Sequence, residues 1–240
     1  MRAALLVLAV VVCGCKTVSS IRAPESRPGN RGYIYGGPPQ SAREVPAPQP
    51  EGFEALINAV KSAVAVAEKE SAPEKRGEAA KRGIVAARRA RELRPDRVEG
   101  HYWYAIAVGL LADADRSYGL SAVAEMEAAL RRAIEIDERY DNAGPLRVLG
   151  LLLLRAPAPP TSIGSPRKAL RLLQRAVELF PEYAENYLYL GEALREAGRA
   201  DEARTAWEKV LNLPAPPGRA LEAAEWKKQA GKHLNEQSQR

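Results

Sequence analysis

The sequence predicts an all-α fold, a solenoid of about four helical hairpins followed by a C-terminal capping helix. Three observations predict it: a helix-favouring composition after residue 50, apolar residues at helical spacing, and a hairpin-sized pattern that recurs. Ala, Leu, Glu and Arg dominate that region, and these residues lose little free energy on entering a helix. Because aromatic residues are only 6% of the 240, composition also favours helices over strands.

The first 14 residues have the pattern of an export signal. Met1 and Arg2 form a short basic start, and Ala3 to Val12 is an unbroken apolar run. About ten apolar residues are too few to span a bilayer as a helix, but they match the central region of a signal peptide. We therefore predict a signal peptide over residues 1–14.

The segment Val12-Cys13-Gly14-Cys15 resembles the lipobox of bacterial lipoproteins, in which a small residue precedes the lipidated cysteine. Gly14 is small whereas Val12 is β-branched, so the resemblance implies Cys15 as the lipidated residue. A plain secretory signal with two incidental cysteines is the alternative. No cysteine follows Cys15, which excludes a disulfide or a cysteine-based metal site in the mature body. The lipid would anchor the protein on a membrane without a spanning helix.

Residues 15–50 have the composition of a tether. They are rich in Pro, Gly, Ser and Arg, with Gly36-Gly37-Pro38-Pro39 and a run of alternating prolines from Pro46 to Pro50. Such a segment cannot bury enough apolar surface to offset the entropy of ordering. We predict a lipidated cysteine followed by a flexible tether that spaces the domain from the membrane.

The repeat domain begins with two predicted helices. Apolar residues recur at intervals of three and four from Phe53 to Ala67, which predicts a helix from about residue 51 to residue 69. Pro73 is placed to open a second helix, which continues to about Leu93 before Arg94-Pro95. The short connection predicts that the two helices are antiparallel.

The same unit then recurs, and its clearest copy spans residues 187–214. It reads Tyr187-Leu188-Tyr189-Leu190-Gly191, followed by Leu194, Gly198, Ala203, Trp207, Val210 and Pro214. This pattern resembles the tetratricopeptide consensus, in which small residues let helices approach and large ones fill the space between hairpins. The resemblance implies a right-handed solenoid of tetratricopeptide-like hairpins.

Earlier copies of this repeat have the same spacing between their small and large residues. Leu149-Gly150 opens one, with an insertion of about seven residues in 156–164 that must loop out between its helices. Another begins at His101 and has Glu138 where proline is usual. Four hairpins result, and a helix from about residue 220 to residue 236 caps the stack, so the predicted repeat domain spans 51–236.

The sequence indicates no catalytic residue, no metal site and no cofactor. It contains no phosphate loop, no dinucleotide fingerprint and no His-Glu-x-x-His zinc helix. His101 falls at the aromatic position of a repeat and is expected in the core, while His233 lies near the polar C-terminus. Without a nucleophile beside a base, a binding protein is favoured over an enzyme.

The net charge of +6 is mild. Basic residues are dense between Lys81 and Arg97, but they are mixed with apolar positions, as on a solvated outer helix face. Nucleic-acid binding would also conflict with export, so we predict no nucleic-acid partner.

In the tetratricopeptide fold the first helix of each hairpin lines the concave side. The corresponding positions predict a largely apolar groove with arginines at its edge, formed by Tyr102, Ile106, Leu110, Arg147, Leu151, Leu154 and Arg155. The same positions in the last repeat, from Glu185 to Glu196, are mostly charged. This contrast indicates an apolar ligand or partner segment near the middle of the stack. The alternative is that the patch is buried as core.

Three segments carry a narrower resemblance: Tyr102-Trp103-Tyr104-Ala105, the run from Gly144 to Gly150, and the insertion from Ala156 to Gly164. Together they resemble the T-component lipoproteins of tripartite ATP-independent periplasmic (TRAP) transporters. The resemblance implies a periplasm-facing lipoprotein that binds the transporter's substrate-binding protein during uptake of small organic acids, with a small hydrophobic ligand as a further expectation.

An envelope scaffold that organises outer-membrane, pilus or secretion machinery is the alternative function. Lys16 after Cys15 lacks the aspartate that signals inner-membrane retention in enteric bacteria, so we expect the outer membrane. A homo-oligomer is left open.

Overall fold

The computed structural model describes residues 52–238 and confirms the all-α fold for them. The predicted signal peptide at 1–14, the lipidation site Cys15 and the tether at 15–50 lie outside the described residues. Among the helices that the structure describes, none has the length and apolar character needed to cross a membrane.

Nine α-helices follow one another along the described chain. They are α1 (Phe53–Lys69), α2 (Pro73–Leu93), α3 (Val98–Ala114), α4 (Gly119–Asp137), α5 (Tyr140–Arg155), α6 (Pro166–Leu179), α7 (Ala184–Glu196), α8 (Ala200–Asn212) and α9 (Ala220–Ser238). Helices α1 to α8 pack as four consecutive hairpins, and α9 packs on α8 and α7 as the predicted cap.

Local sequence accounts for the helix starts. Pro73 is at the first position of α2 and Pro166 at the first position of α6, where a missing N–H costs nothing. The Ser165 hydroxyl caps α6 by accepting a hydrogen bond from the Lys168 backbone N–H at 3.4 Å. The predicted start and end of α2 are therefore confirmed, and α1 begins two residues later than expected.

Helix α3 lies at the centre of the N-terminal hairpins. All residues from His101 to Leu110 are buried, and α1, α2, α4 and α5 all pack against this helix. A helix that is apolar on every side is stable only when neighbours cover its whole circumference.

Glycines allow close helix contacts at the repeat positions. A Cβ on Gly150 would lie 2.8 Å from Leu173 Cγ, and a Cβ on Gly191 would overlap the Trp207 indole. The Trp207 Nε1–H donates to the Leu188 carbonyl at 3.1 Å, which fixes the ring over Gly191. The tetratricopeptide-like small and large residues thus do pack against each other between helices.

Helix α5 begins irregularly. Asp141, Asn142 and Ala143 have φ values of 48°, 55° and 64°, in the left-handed region, and regular helix follows from Gly144. A left-handed conformation costs an ordinary L-residue roughly 1–2 kcal/mol, and Asp and Asn adopt it more readily than Ala. Three in succession therefore require compensating tertiary contacts, which the side chains around Arg147 provide.

The predicted insertion does loop out between α5 and α6. The Gly164 N–H donates to the Pro157 carbonyl at 2.8 Å, and the Ser165 N–H donates to the Leu153 carbonyl at 2.7 Å. A Cβ on Gly164 would overlap the Ala156 carbonyl oxygen. The loop therefore closes tightly on the end of α5.

Candidate functional site

The predicted groove residues lie mostly in the interior. Tyr102, Ile106, Leu110 and Leu151 are each 2% exposed and Arg147 is 1% exposed, whereas Leu154 and Arg155 are partly exposed. In this structure the apolar patch is therefore buried, as the alternative interpretation expected. Arg147, expected at the edge of the groove, is among the largest fully buried side chains.

Tyr102 connects the Tyr102–Ala105 segment of α3 to the Gly144–Gly150 segment of α5. Its ring lies against Gly144, where a Cβ would approach the hydroxyl oxygen to 2.8 Å. Its hydroxyl donates to Asp141 Oδ2 at 2.8 Å, and its ring meets Trp103 and Tyr140 edge to face. The aromatic residues and the glycine of the two segments thus form one packing unit.

Arg147 organises the irregular start of α5. Its Nη1 donates to the Asn142 carbonyl at 3.0 Å and to Asn186 Oδ1 at 2.9 Å. Its Nε lies 3.1 Å from a Glu185 carboxylate oxygen, an ion-pair distance, although the N–H is not aligned for a hydrogen bond. Glu185, predicted at a charged concave position, is instead 3% exposed.

The buried charges balance one another. Burial lowers the pKa of Arg147, but Glu185, Tyr102, Tyr183 and Asp141 together outweigh it and raise the pKa above its ordinary value. The guanidinium is therefore charged at all physiological pH values. A charged group this deep is tolerated only because opposite charges and hydrogen-bond acceptors surround it.

Arg219, just before α9, connects this cluster to the C-terminal cap. It donates to Asp141 Oδ1 and to the Tyr183 hydroxyl, both at 2.6 Å. We call the set the junction cluster: Tyr102, Asp141, Arg147, Tyr183, Glu185, Asn186 and Arg219. These residues connect α3, α5, α7 and the start of α9, so the junction cluster has a structural role.

Sequence reasoning missed Asp141, Asn186 and Arg219. Asn186 is fully buried and bonds three groups, donating to the Asn142 and Ala176 carbonyls and accepting from Arg147. A signal was available in the helical spacing, because Tyr183, Tyr189 and Leu190 lie three and four residues from Asn186, and an amide on such an apolar face requires several partners. Nothing in the local sequence of Arg219 indicates its contacts.

An open groove lies beside the junction cluster, and we call it the edge groove. It has a volume of about 400 Å³, and the Arg139 guanidinium lies 4.8 Å from the ring of Phe180 in its wall. Aromatic and proline side chains dominate the lining, which consists of Asn142, Leu179, Phe180, Pro181, Glu182, Tyr183, Pro214, Ala215, Pro216 and Pro217.

A second groove, the outer groove, lies between α4 and α6 and has a volume of about 410 Å³. Its lining combines aliphatic and charged side chains: Arg131, Ile134, Glu135, Leu149, Leu153, Lys168, Arg171 and Leu172. Both grooves fall in the size range of sites that accept a small molecule or a few side chains of a partner.

A further polar cluster joins α5, α7 and α9. Arg155 donates to Glu192 at 3.0 Å, and the His233 ring stacks on Trp207 with centroids 4.7 Å apart. Burial raises the pKa of Glu192, but the His233 ring, whose Nε2 lies 3.7 Å from the carboxylate, and the Arg155 guanidinium outweigh it and lower the pKa below its ordinary value. Arg155 thus pairs with the last repeat and is not a free groove cation.

Between residues 52 and 238, no group of three or more His, Cys, Asp or Glu side chains is arranged to hold a metal ion. The candidate sites are therefore two grooves without a metal-binding cluster in the described part of the chain.

Comparison with known proteins agrees with this architecture. Residues 164–216 match the family model of the tetratricopeptide repeat, and no curated protein matches the chain. A solved thermophilic TPR protein of Thermus thermophilus is similar, with 19% identity, a TM-score of 0.52, and coverage of 76% of this chain and 91% of that one. MamA is similar at 20% identity over 71% of this chain and 98% of its own, with a TM-score of 0.44.

The first of these likenesses shows the fold, and a TM-score of 0.44 is too low to support an argument. Residues 164–216, which include α6, α7 and α8, are the part recognised as a tetratricopeptide repeat. We conclude that the protein has the fold of a tetratricopeptide-repeat solenoid.

Proposed function

We propose that this protein is a non-enzymatic protein-binding module. The observation that carries the proposal is the stack of four tetratricopeptide-type hairpins with an open, aromatic-lined groove at one edge. Stacked repeats bury their shared core and leave long surfaces that other proteins can contact. Phe180 and the neighbouring prolines supply rigid apolar area, which is typical of the centre of an interface, while Tyr183, 4% exposed, supports the groove from beneath.

The finer proposal is that it acts in the cell envelope as a T-component lipoprotein, anchored at Cys15 and facing the periplasm. Its partner is then the substrate-binding protein of a TRAP-type uptake system. Support comes from the resemblance of the Tyr102–Ala105, Gly144–Gly150 and Ala156–Gly164 segments. An outer-membrane position follows from Lys16, on the same sequence argument.

The buried patch bears on where the partner binds. A small hydrophobic ligand at Ile106, Leu110 and Leu151 requires the patch to open, because these side chains are 2% exposed. Binding at the edge groove needs no such rearrangement. We therefore assign the partner contact to the edge groove and keep the ligand passage as a secondary proposal.

In-cell crosslinking of the full chain, followed by affinity purification and mass spectrometry, tests this function. Recovery of a soluble substrate-binding protein supports the transport proposal. Recovery of pilus, secretion or outer-membrane assembly components supports the envelope-scaffold alternative. Recovery of cytosolic proteins only, from cells in which the protein is not exported, contradicts both.

A pair of matched variants locates the contact. Ala215→Arg places a long cation at the exposed wall of the edge groove, and Ala158→Arg makes the same change on the exposed insertion loop. Loss of the crosslinked partner with Ala215→Arg alone supports the edge groove. Equal recovery of the partner with both variants contradicts the edge groove as its binding site. The identity of the partner is unaffected by that result.

A further inference from the structure

The outer face of α6 carries cations without acidic partners. Ala169, Leu173 and Ala176 are buried on the inner face. Arg167, Lys168 and Arg171 are exposed, and no described residue forms an ion pair with them. Arg175, by contrast, pairs with Glu138 at 2.7 Å and with Glu178 at 3.5 Å. The unpaired charge is thus confined to the first half of the helix.

These cations border the outer groove. Lys168 and Arg171 line it on the α6 side, and Arg131 lines it on the α4 side. Glu135, the acidic residue in the lining, is already engaged by Arg132 at 3.0 Å. Arg131 bonds Glu127 at 2.6 Å yet its side chain remains 52% exposed. The rim is therefore net positive.

The groove also has an apolar component. Leu149 and Leu153 of α5 form its deep part, and Ile134 and Leu172, both partly buried, flank it. Apolar residues beside unpaired cations fit an amphipathic anion better than a bare phosphate, because a phosphate leaves the apolar part unused. A volume of about 410 Å³ accommodates one or two leucine-sized side chains.

We propose that the outer groove docks an acidic amphipathic segment of a protein partner. A leucine or isoleucine of the segment enters between Ile134 and Leu172, and neighbouring carboxylates pair with Lys168 and Arg171. This site shares no lining residue with the edge groove, although α5 and α6 contribute to both, and the inference rests on the proposed protein-binding function. Complementary charge would speed encounter and set orientation, while the apolar anchor would slow dissociation.

A random-peptide display library, selected on the full chain, supplies an unbiased probe. Selected peptides are then measured by fluorescence anisotropy against the wild type, Lys168→Glu/Arg171→Glu, and the control Lys75→Glu/Lys209→Glu. The control changes two exposed lysines on α2 and α8, so both double variants alter the net charge equally. Vesicles of phosphatidylglycerol and phosphatidylcholine are tested in parallel by co-sedimentation.

The proposal expects selected peptides to combine Asp or Glu with Leu or Ile at helical spacing. Their Kd should rise at least about fivefold in Lys168→Glu/Arg171→Glu and stay within about twofold in the control. Wild-type binding should also weaken as NaCl increases, because exposed charge pairs are screened.

Peptides without acidic residues, or equal binding to both double variants, would overturn the proposal. A different outcome is that no acidic peptide is selected and that the wild type binds vesicles while Lys168→Glu/Arg171→Glu does not. That outcome would assign the surface to anionic lipid. If the selected peptides bind Lys168→Glu/Arg171→Glu as tightly as the wild type while the cellular partner is still recovered, the outer groove is wrong and the protein-binding function stands.

Discussion

The Tyr102 ring lies across Gly144, so that a Cβ at Gly144 would approach three ring and hydroxyl atoms to between 2.8 and 3.0 Å. This contact joins α3 to the first regular turn of α5. The Tyr102 hydroxyl then reaches Asp141, in the left-handed segment before that turn. These two segments are far apart in the sequence, and they pack together through this close contact and this hydrogen bond.

Gly144→Ala should lower the free energy of unfolding by about 1–3 kcal/mol, because the added methyl overpacks a buried contact. Urea denaturation of the two proteins measures it. Gly231→Ala is the matched control, since no atom lies within 4 Å of a Cβ at that helical position. The control should be neutral or stabilising by up to about 1 kcal/mol. Equal effects of the two changes would contradict the Tyr102 contact.

Arg147→Ala should cost about 3–5 kcal/mol, because it leaves Glu185 buried without its cation. Arg147→Met combined with Glu185→Leu should cost clearly less than the sum of the single changes, since neither charge then remains. A double-mutant cycle from denaturation curves measures the coupling. Arg175→Ala, at an exposed pair, should cost no more than about 1 kcal/mol. Additive effects at Arg147 and Glu185 would argue against the junction cluster.

His101 should make stability depend on pH. Burial lowers its pKa below 6.5, although Nε2 lies 3.0 Å from the Pro95 carbonyl oxygen and can donate to it. The unfolded chain therefore takes up a proton more readily than the native protein. The contribution is complete above pH 6.5 and is lost as the pH falls toward the folded pKa.

The free energy of unfolding should consequently fall less between pH 7.5 and pH 5.5 in His101→Phe than in the wild type. Denaturation curves at several pH values provide the comparison. Parallel pH profiles for the two proteins would show that His101 does not carry the dependence.

Gly164→Ala should destabilise the protein by at least about 1 kcal/mol, because the new methyl meets the Ala156 carbonyl in the closed insertion loop. Thermal unfolding measures it. Gly119→Ala, where no atom lies within 4 Å of the added Cβ, should change stability by less than about 1 kcal/mol. A neutral Gly164→Ala would mean that the loop is not held by its contact with the end of α5.

The helices could be predicted closely because their signals are local. Pro73 and the Arg94-Pro95 step mark the ends of α2 through backbone rules that act within a few residues. The glycines of the repeats also predicted where helices pack closely, as the contact between Gly191 and the Trp207 ring shows.

The candidate site could not be predicted to the same extent. Counting repeat positions placed Ile106 and Arg147 on a concave surface, but the structure buries both. Arg147 is stabilised by Asn186, 39 residues away, and Arg219 reaches Asp141, 78 residues away. The left-handed turn at Asp141–Ala143 contains no glycine, the residue that adopts this conformation most readily.

By itself, the sequence determined an all-α stack of hairpins, its capping helix and the loop between α5 and α6, because periodicity, prolines and glycines act locally. Tertiary structure alone decided which polar residues are buried and which grooves stay open. Those outcomes depend on how distant side chains meet and on the balance between desolvation and pairing, and neither is encoded at one position of the chain.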